Sequence, residues 1–285
     1  MSVSDQLLVL VDPVARRHDG ESVRIAKDVL SAGAGLKVCL PNNPEEFARS
    51  LARRGNRRPV VIGDDHALLR TVTLLHRERV LSTTVLSLVP IGHEVSLAKS
   101  LGVPTEAVGA ARAVLEGAGR RLDLLVDDSD GVVLGGLRIP CGDGTPAVAA
   151  GGGGRLRALL TRVRGGGAGA WGAGAAGTPG ARARGRGQDR VRGRVRVEVD
   201  GRTVVDLGEV IESVGVTPGE GGLCEVEVRW ADAGVGARVR RARGRVVSVS
   251  GADFRYYVDA VASGPVRRRT WSCRPGGWSL TLPGG

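Results

Sequence analysis

The sequence predicts an α/β N-terminal domain built on a mostly parallel sheet, followed by a C-terminal antiparallel β-sandwich domain. Three observations predict it. Residues 1–135 alternate short apolar runs with amphipathic segments of helical period. Residues 141–190 lose both patterns and become rich in Gly, Ala and Arg. Beyond them the apolar period changes to two. The expected division is therefore 1–140 as a nucleotide-binding-like α/β domain, 141–190 as a flexible insert or linker, and 191–285 as the β-rich domain. A chain of 285 residues is long enough for two such domains.

The first apolar run is Leu7–Val11, and the segment 21–31 after it carries Val23, Ala26, Val29 and Leu30 on one helical face. Leu36–Leu40 is the next strand. Asn43 is placed to cap a helix, Pro44 suits its first position, and Glu45 and Glu46 face the positive end of its dipole. Gly55 ends that helix. Val60–Ile62 is a third strand, 67–78 a helix, and Val85–Val89 a fourth strand. Thr105 is expected to cap a further helix bearing Val108, Ala111, Val114 and Leu115, and Leu122–Val126 returns as strand. A β-then-α alternation of this kind points to a parallel sheet with helices on its faces, in which ligands bind beyond the carboxyl ends of the strands.

In the insert, 155–164 has the pattern of a short helix, while its Gly-rich flanks carry too little apolar side chain to offset the entropy of ordering. After it, Val191, Val195, Val197 and Val199 alternate with Arg192, Arg194, Arg196 and Glu198. Val226, Val228 and Trp230 alternate with Glu225, Glu227 and Arg229. Further short runs lie at 245–249, 254–258, 266–272 and 278–282, and Asp200-Gly201 is a turn signal.

Only 3% of residues are aromatic, so packing rests on Val, Leu and Ala, with Trp271 and Trp278 expected in the core. The net charge is +11, of which residues 151–196 carry +10 through eleven Arg against the single acid Asp189. Such a tract attracts phosphates or anionic lipid heads, and a peripheral contact with an anionic membrane is an expected partner. It lacks the interleaved aromatics that stack bases, which argues against nucleic acid. The four cysteines form no C-x-x-C pair, so a reduced, cytoplasmic protein without a zinc site is expected. No signal peptide and no bilayer-spanning apolar run is read.

Four segments carry more specific information. They are Val60-Val61-Ile62-Gly63-Asp64-Asp65-His66, a strand entering a turn; Pro90-Ile91-Gly92-His93-Glu94-Val95-Ser96-Leu97-Ala98-Lys99-Ser100-Leu101-Gly102-Val103-Pro104; Gly221-Gly222-Leu223-Cys224-Glu225; and Tyr257-Val258-Asp259-Ala260. In order and spacing the chain resembles the diacylglycerol kinase-like lipid kinases, a family that includes sphingosine and bacterial lipid kinases. That family shows N-P-x-S-G after the first strand, G-G-D-G-T after the third, and P-x-G-T-x-N-D-x-A-R-x-L-G-I-P after the fourth. Later it shows D-G-x-L-D and V-D-G-E. The resemblance spans nearly all of the chain except 141–190, and its best-matched piece is Leu97–Pro104.

The resemblance implies a NAD-kinase- and diacylglycerol-kinase-like N-terminal fold, with ATP and Mg²⁺ as cofactors and transfer of phosphate to a lipid hydroxyl. It implies Asp64 as the catalytic acid/base or metal-supporting residue. It places Gly63, Asp64, His66, Gly92 and His93 against the nucleotide. Against the family pattern, Ile62 and Asp65 stand in place of Gly, His66 and His93 in place of Thr, and Val95-Ser96 in place of Asn-Asp. Asp12-Pro13 stands for Asn-Pro, and Gly221 for an Asp. Ile62 is expected to add bulk to the crevice, and Asp65 and Glu94 negative charge. Phosphoryl transfer depends on positioning and charge neutralisation, so activity is expected to be weakened or lost. The alternative is a non-catalytic protein that binds a lipid, a small phosphate ligand or a protein.

Overall fold

The computed structural model describes residues 6–141, 194–230, 238–259 and 261–284. Most of the Gly/Ala/Arg-rich tract, including the helix expected over 155–164 and the first residues of the strand expected from 191, lies outside the described residues.

The first half alternates as the periodicity requires. Strands β1 (Gln6–Val11), β2 (Gly35–Cys39), β3 (Arg58–Gly63) and β4 (Val85–Pro90) form a parallel sheet in the order β4-β3-β1-β2. Helices α1 (Pro13–His18), α2 (Gly20–Gly33) and α6 (Ala107–Glu116) cover one face. Helices α3 (Pro44–Ala52), α4 (Asp65–Arg77) and α5 (Ser96–Ser100) cover the other. Because side chains alternate along a strand, Leu7, Val9, Val60 and Ile62 meet the first set and Leu8, Leu10 and Val61 the second.

The caps explain where helices begin. Asn43 accepts the Glu46 N–H at 2.8 Å, with Pro44 in the first turn of α3 as expected. At α6 the reading differs. The helix starts at Ala107, and the extended Glu106 precedes it without a side-chain cap, so Thr105 lies outside. Burial of Ala110, Ala111 and Val114 sets that register.

The second half comprises β5 (Ala118–Asp127), β6 (Val132–Val133), β7 (Leu137–Pro140), β8 (Val195–Val199), β9 (Arg202–Val205), β10 (Ile211–Pro218), β11 (Cys224–Trp230), β12 (Val239–Gly244), β13 (Val246–Val258) and β14 (Val261–Leu282). Pairing among these strands is antiparallel. Their inward side chains build a core of mostly Val with Trp271, Tyr256 and Phe254. Asp200 and Gly201 both take positive φ and close the β8–β9 hairpin, as Asp-Gly pairs favour.

Two features tie the halves together. β5 runs antiparallel to β14 rather than joining the parallel strands. The end of β14 pairs in parallel with β4, Ser279 opposite Val85 and Leu280 opposite Leu86. Trp278, Leu280 and Leu282 therefore pack into the same core as Leu8, Leu10 and Leu68, while Trp271 on the same strand belongs to the sandwich core. Both tryptophans are fully buried. Among the described residues no helix is long and apolar enough to cross a membrane.

Candidate functional site: the facing turns after β3 and β4

β3 and β4 are neighbours with Gly63 opposite Pro90, so the turns that follow them lie side by side. The Ile91 N–H donates to the Gly63 carbonyl at 3.0 Å, and the Asp65 N–H donates to the Glu94 carbonyl at 2.7 Å. The two segments singled out in the sequence thus form one unit at the carboxyl end of the parallel sheet.

Both glycines of this unit are held by packing against protein atoms. A Cβ on Gly63 would stand 2.6 Å from Ala67 Cβ and 3.1 Å from Asp12 Cβ. A Cβ on Gly92, whose φ is +150°, would stand 2.7 Å from Asp64 Cβ. Asp64 itself is 8% exposed and caps α4 by accepting the Ala67 N–H at 3.1 Å. Its other carboxylate oxygen is 3.9 Å from Nδ1 of the exposed His66. His93 is exposed and stacks at a tilt on His18, with ring centroids 4.0 Å apart.

Asp65 has a different place from the one its position suggests. Its carboxylate turns into α5 and accepts the Leu97 N–H at 2.7 Å, the Ala98 N–H at 2.9 Å and the Ser96 hydroxyl at 3.3 Å. It is 6% exposed. Burial raises its pKa above the usual carboxylate value; the three donors work against that shift, and the neighbouring Asp64 charge adds to it. Ile62 does not crowd the crevice either: alternation along β3 sends it into the core with Val9 and Val89. Glu94 is exposed and contributes its carbonyl.

Further carboxylates, only partly flagged by the motifs, are held by backbone donors or by arginines. Asp12, 2% exposed, caps α1 through the Val14 N–H at 2.8 Å and pairs with Arg70 Nη1 at 2.7 Å. Asp259, at the tip of the β13–β14 hairpin, accepts the N–H groups of Leu134, Gly135 and Gly136 at 2.9, 2.6 and 3.0 Å. Removal from water pushes its carboxyl up to about 6 despite those donors, and Asp65 adds to the rise. At the Gly221-Gly222 motif, Asp123 on β5 accepts the Gly222 and Gly276 N–H groups, both at 2.7 Å. Glu225 pairs with Arg243 at 2.6 Å. Sequence reasoning passed over Asp123; an acid inside the apolar run Leu122–Val126 was the available signal.

A nucleotide phosphate placed at the start of α5 would find the Leu97 and Ala98 N–H groups already engaged. A phosphate cradle needs free, converging N–H groups, and those at the start of α5 are taken by Asp65. A side chain at Gly63 or Gly92 would meet Ala67, Asp12 or Asp64. Among the described residues no group of three or more His, Cys, Asp or Glu is placed to hold a metal ion.

No protein-family model matches the sequence, and no curated protein sequence is similar to it. Solved structures are. Two, described as a candidate diacylglycerol kinase from Bacillus anthracis str. Sterne, align with TM-score 0.68 at 11% identity, covering 99% of this chain and 98% of theirs. A third, described as a diacylglycerol kinase from the same organism, aligns with TM-score 0.67 at 11% identity and the same coverage. From its parallel sheet through its sandwich strands, this chain has the diacylglycerol kinase-like fold.

Proposed function

We propose that this protein keeps the architecture of a lipid kinase but has lost ATP-dependent phosphorylation of a lipid hydroxyl, and that it binds a lipid without modifying it. The observation that carries the reading is the Asp65 carboxylate, which satisfies three donors at the start of α5. A triphosphate entering there meets an anion instead of free N–H groups. One unit charge at 4 Å disfavours another by about 4 kcal/mol at an effective dielectric near 20, which is roughly a thousandfold in affinity.

The packing of Asp64 against Gly92 supports the same conclusion, since it leaves the best-placed acid committed to capping α4. Contact with an anionic membrane surface in the cytoplasm fits the excess of arginine over acids.

Calorimetry with ATP and Mg²⁺, and a phosphotransfer assay on vesicles containing diacylglycerol, test the first half. The expected results are no binding heat and no phosphorylated lipid. Lipid phosphorylation that disappears in Asp64→Ala overturns the proposal. Flotation with the same vesicles tests the second half; protein that stays at the bottom of the gradient refutes lipid binding.

A further inference from the structure

The motif Gly221-Gly222-Leu223-Cys224 contains a cysteine that no part of the foregoing site uses. Cys224 opens β11, and Cys273 lies on β14. Two consecutive strands bring them together. Gly244, at the end of β12, pairs with Cys224, and Val246, at the start of β13, pairs with Ser272. Between them Arg245 makes the corner, and its carbonyl receives both the Cys224 thiol, at 3.6 Å, and the Cys273 N–H, at 2.9 Å. The corner is itself pinned. Asp200 accepts the Arg245 N–H at 2.9 Å and the Val246 N–H at 2.9 Å. The Arg245 carbonyl is thus shared by the two cysteines, and each sulfur is the first influence on the titration of the other.

We propose that Cys224 and Cys273 are a modification site, a dithiol that a peroxide converts to an intramolecular disulfide joining β11 to β14. The roles of the two sulfurs differ. The neighbouring Cys224 holds the Cys273 thiol below its usual range, against the opposing effects of burial and Asp123. The neighbouring Cys273, and burial, push the Cys224 thiol up.

Cys273, at 8% exposure against 0% for Cys224, is the sulfur an oxidant reaches first. Its thiolate attacks one peroxide oxygen, the O–O bond breaks, and the departing hydroxide takes a proton to leave as water. The Cys224 sulfur then attacks the resulting sulfenic sulfur, the S–O bond breaks, and a second water leaves. Two thiols and one hydrogen peroxide give one disulfide and two waters, with sulfur oxidised and peroxide oxygen reduced. Cys141 supplies an internal contrast, since burial alone pushes its thiol up to about 12. It has no partner thiol in the interactions of the described residues.

The test treats the full-length protein with hydrogen peroxide, blocks remaining thiols with N-ethylmaleimide, and maps peptides by mass spectrometry without reduction. The four free thiols should fall to two, with a Cys224–Cys273 linked peptide that dithiothreitol reverses. Two variants separate the steps. Cys224→Ser should leave a sulfenic acid on residue 273 that dimedone traps, and Cys273→Ser should leave residue 224 unoxidised at the same dose. Peroxide that leaves both cysteines alkylatable, or that links either one to Cys39 or to a second chain, overturns the proposal. The wild-type map alone decides this if a variant fails to fold.

Discussion

Gly92 is pressed against Asp64: a Cβ at residue 92 would lie 2.7 Å from Asp64 Cβ and 3.5 Å from its Cα. The residue beyond β4 therefore has to be glycine for Asp64 to cap α4. The contact, with the hydrogen bonds Ile91 N–H to Gly63 and Asp65 N–H to Glu94, joins the two turns.

That contact sets the first prediction. Gly92→Ala combines a steric overlap with a φ of +150°, and should destabilise the protein by about 2–4 kcal/mol. Gly102 also has positive φ, but nothing lies within 4 Å of its Cβ direction. Gly102→Ala should therefore lose only about 1 kcal/mol, the backbone part. Urea unfolding of both variants measures the difference, and equal losses would show that the Asp64 contact is not what excludes a side chain.

A second prediction concerns Asp65. Asp65→Asn keeps the shape but turns one acceptor oxygen into a donor facing the donors of α5, and should destabilise by about 2–3 kcal/mol. If the carboxylate is also what repels triphosphate, Asp65→Gly should show ATP binding heat where the wild type shows none. Calorimetry on the two proteins reads this directly, and a variant as silent as the wild type would detach Asp65 from nucleotide exclusion.

The pH dependence follows from Asp259. Its folded-state pKa of about 6 lies above the ordinary carboxylate value of 3.8. The folded protein holds the proton more tightly than the unfolded chain. This group's stabilisation is therefore fully present below pH about 4, is lost as pH rises to about 6, and stays lost above that. Asp259→Asn should remove the slope between those limits, visible as a smaller difference between unfolding midpoints at pH 4 and pH 7. Parallel curves for variant and wild type would show that Asp259 titrates normally.

Asp12 and Arg70 form a testable pair, since the acid is 2% exposed and the guanidinium side chain 33%. Asp12→Ala removes the α1 cap as well as the pair and should destabilise by about 2–4 kcal/mol. With Arg70 partly in water, the double-mutant coupling should be nearer about 1 kcal/mol. Chemical denaturation of the cycle measures it; zero coupling would leave Asp12 as a cap alone.

How far the sequence was legible depended on the range of the interactions involved. The cap of α3 was readable because Asn43 and Glu46 are three residues apart. The strands β1, β3, β4 and β11 were readable because burial alternates or runs along each of them. Strand β10 was not, because Ser213, Gly215 and Thr217 interrupt its apolar pattern, and its pairing with β7 and β11 supplies what the pattern lacks. β13 and β14 were read in pieces because Gly and Arg break runs that are continuous in the ladder.

The site divides in the same way. The adjacency of the turns after β3 and β4 was anticipated from motif order, and the hydrogen bonds between them bear it out. The direction of Asp65 was not anticipated. Its acceptor role depends on Leu97 and Ala98, more than thirty residues away.

The sequence by itself determined the elements, their alternation and the change from period 3.6 to period two, because each follows from neighbours within a few positions. Tertiary structure alone decided that β14 closes against β4, that Asp65 and Asp259 fill backbone cradles, and that Cys224 and Cys273 share the Arg245 carbonyl. These contacts join distant segments whose approach is set by packing of the whole core, and no local pattern encodes where a strand edge or a helix start will find its partner.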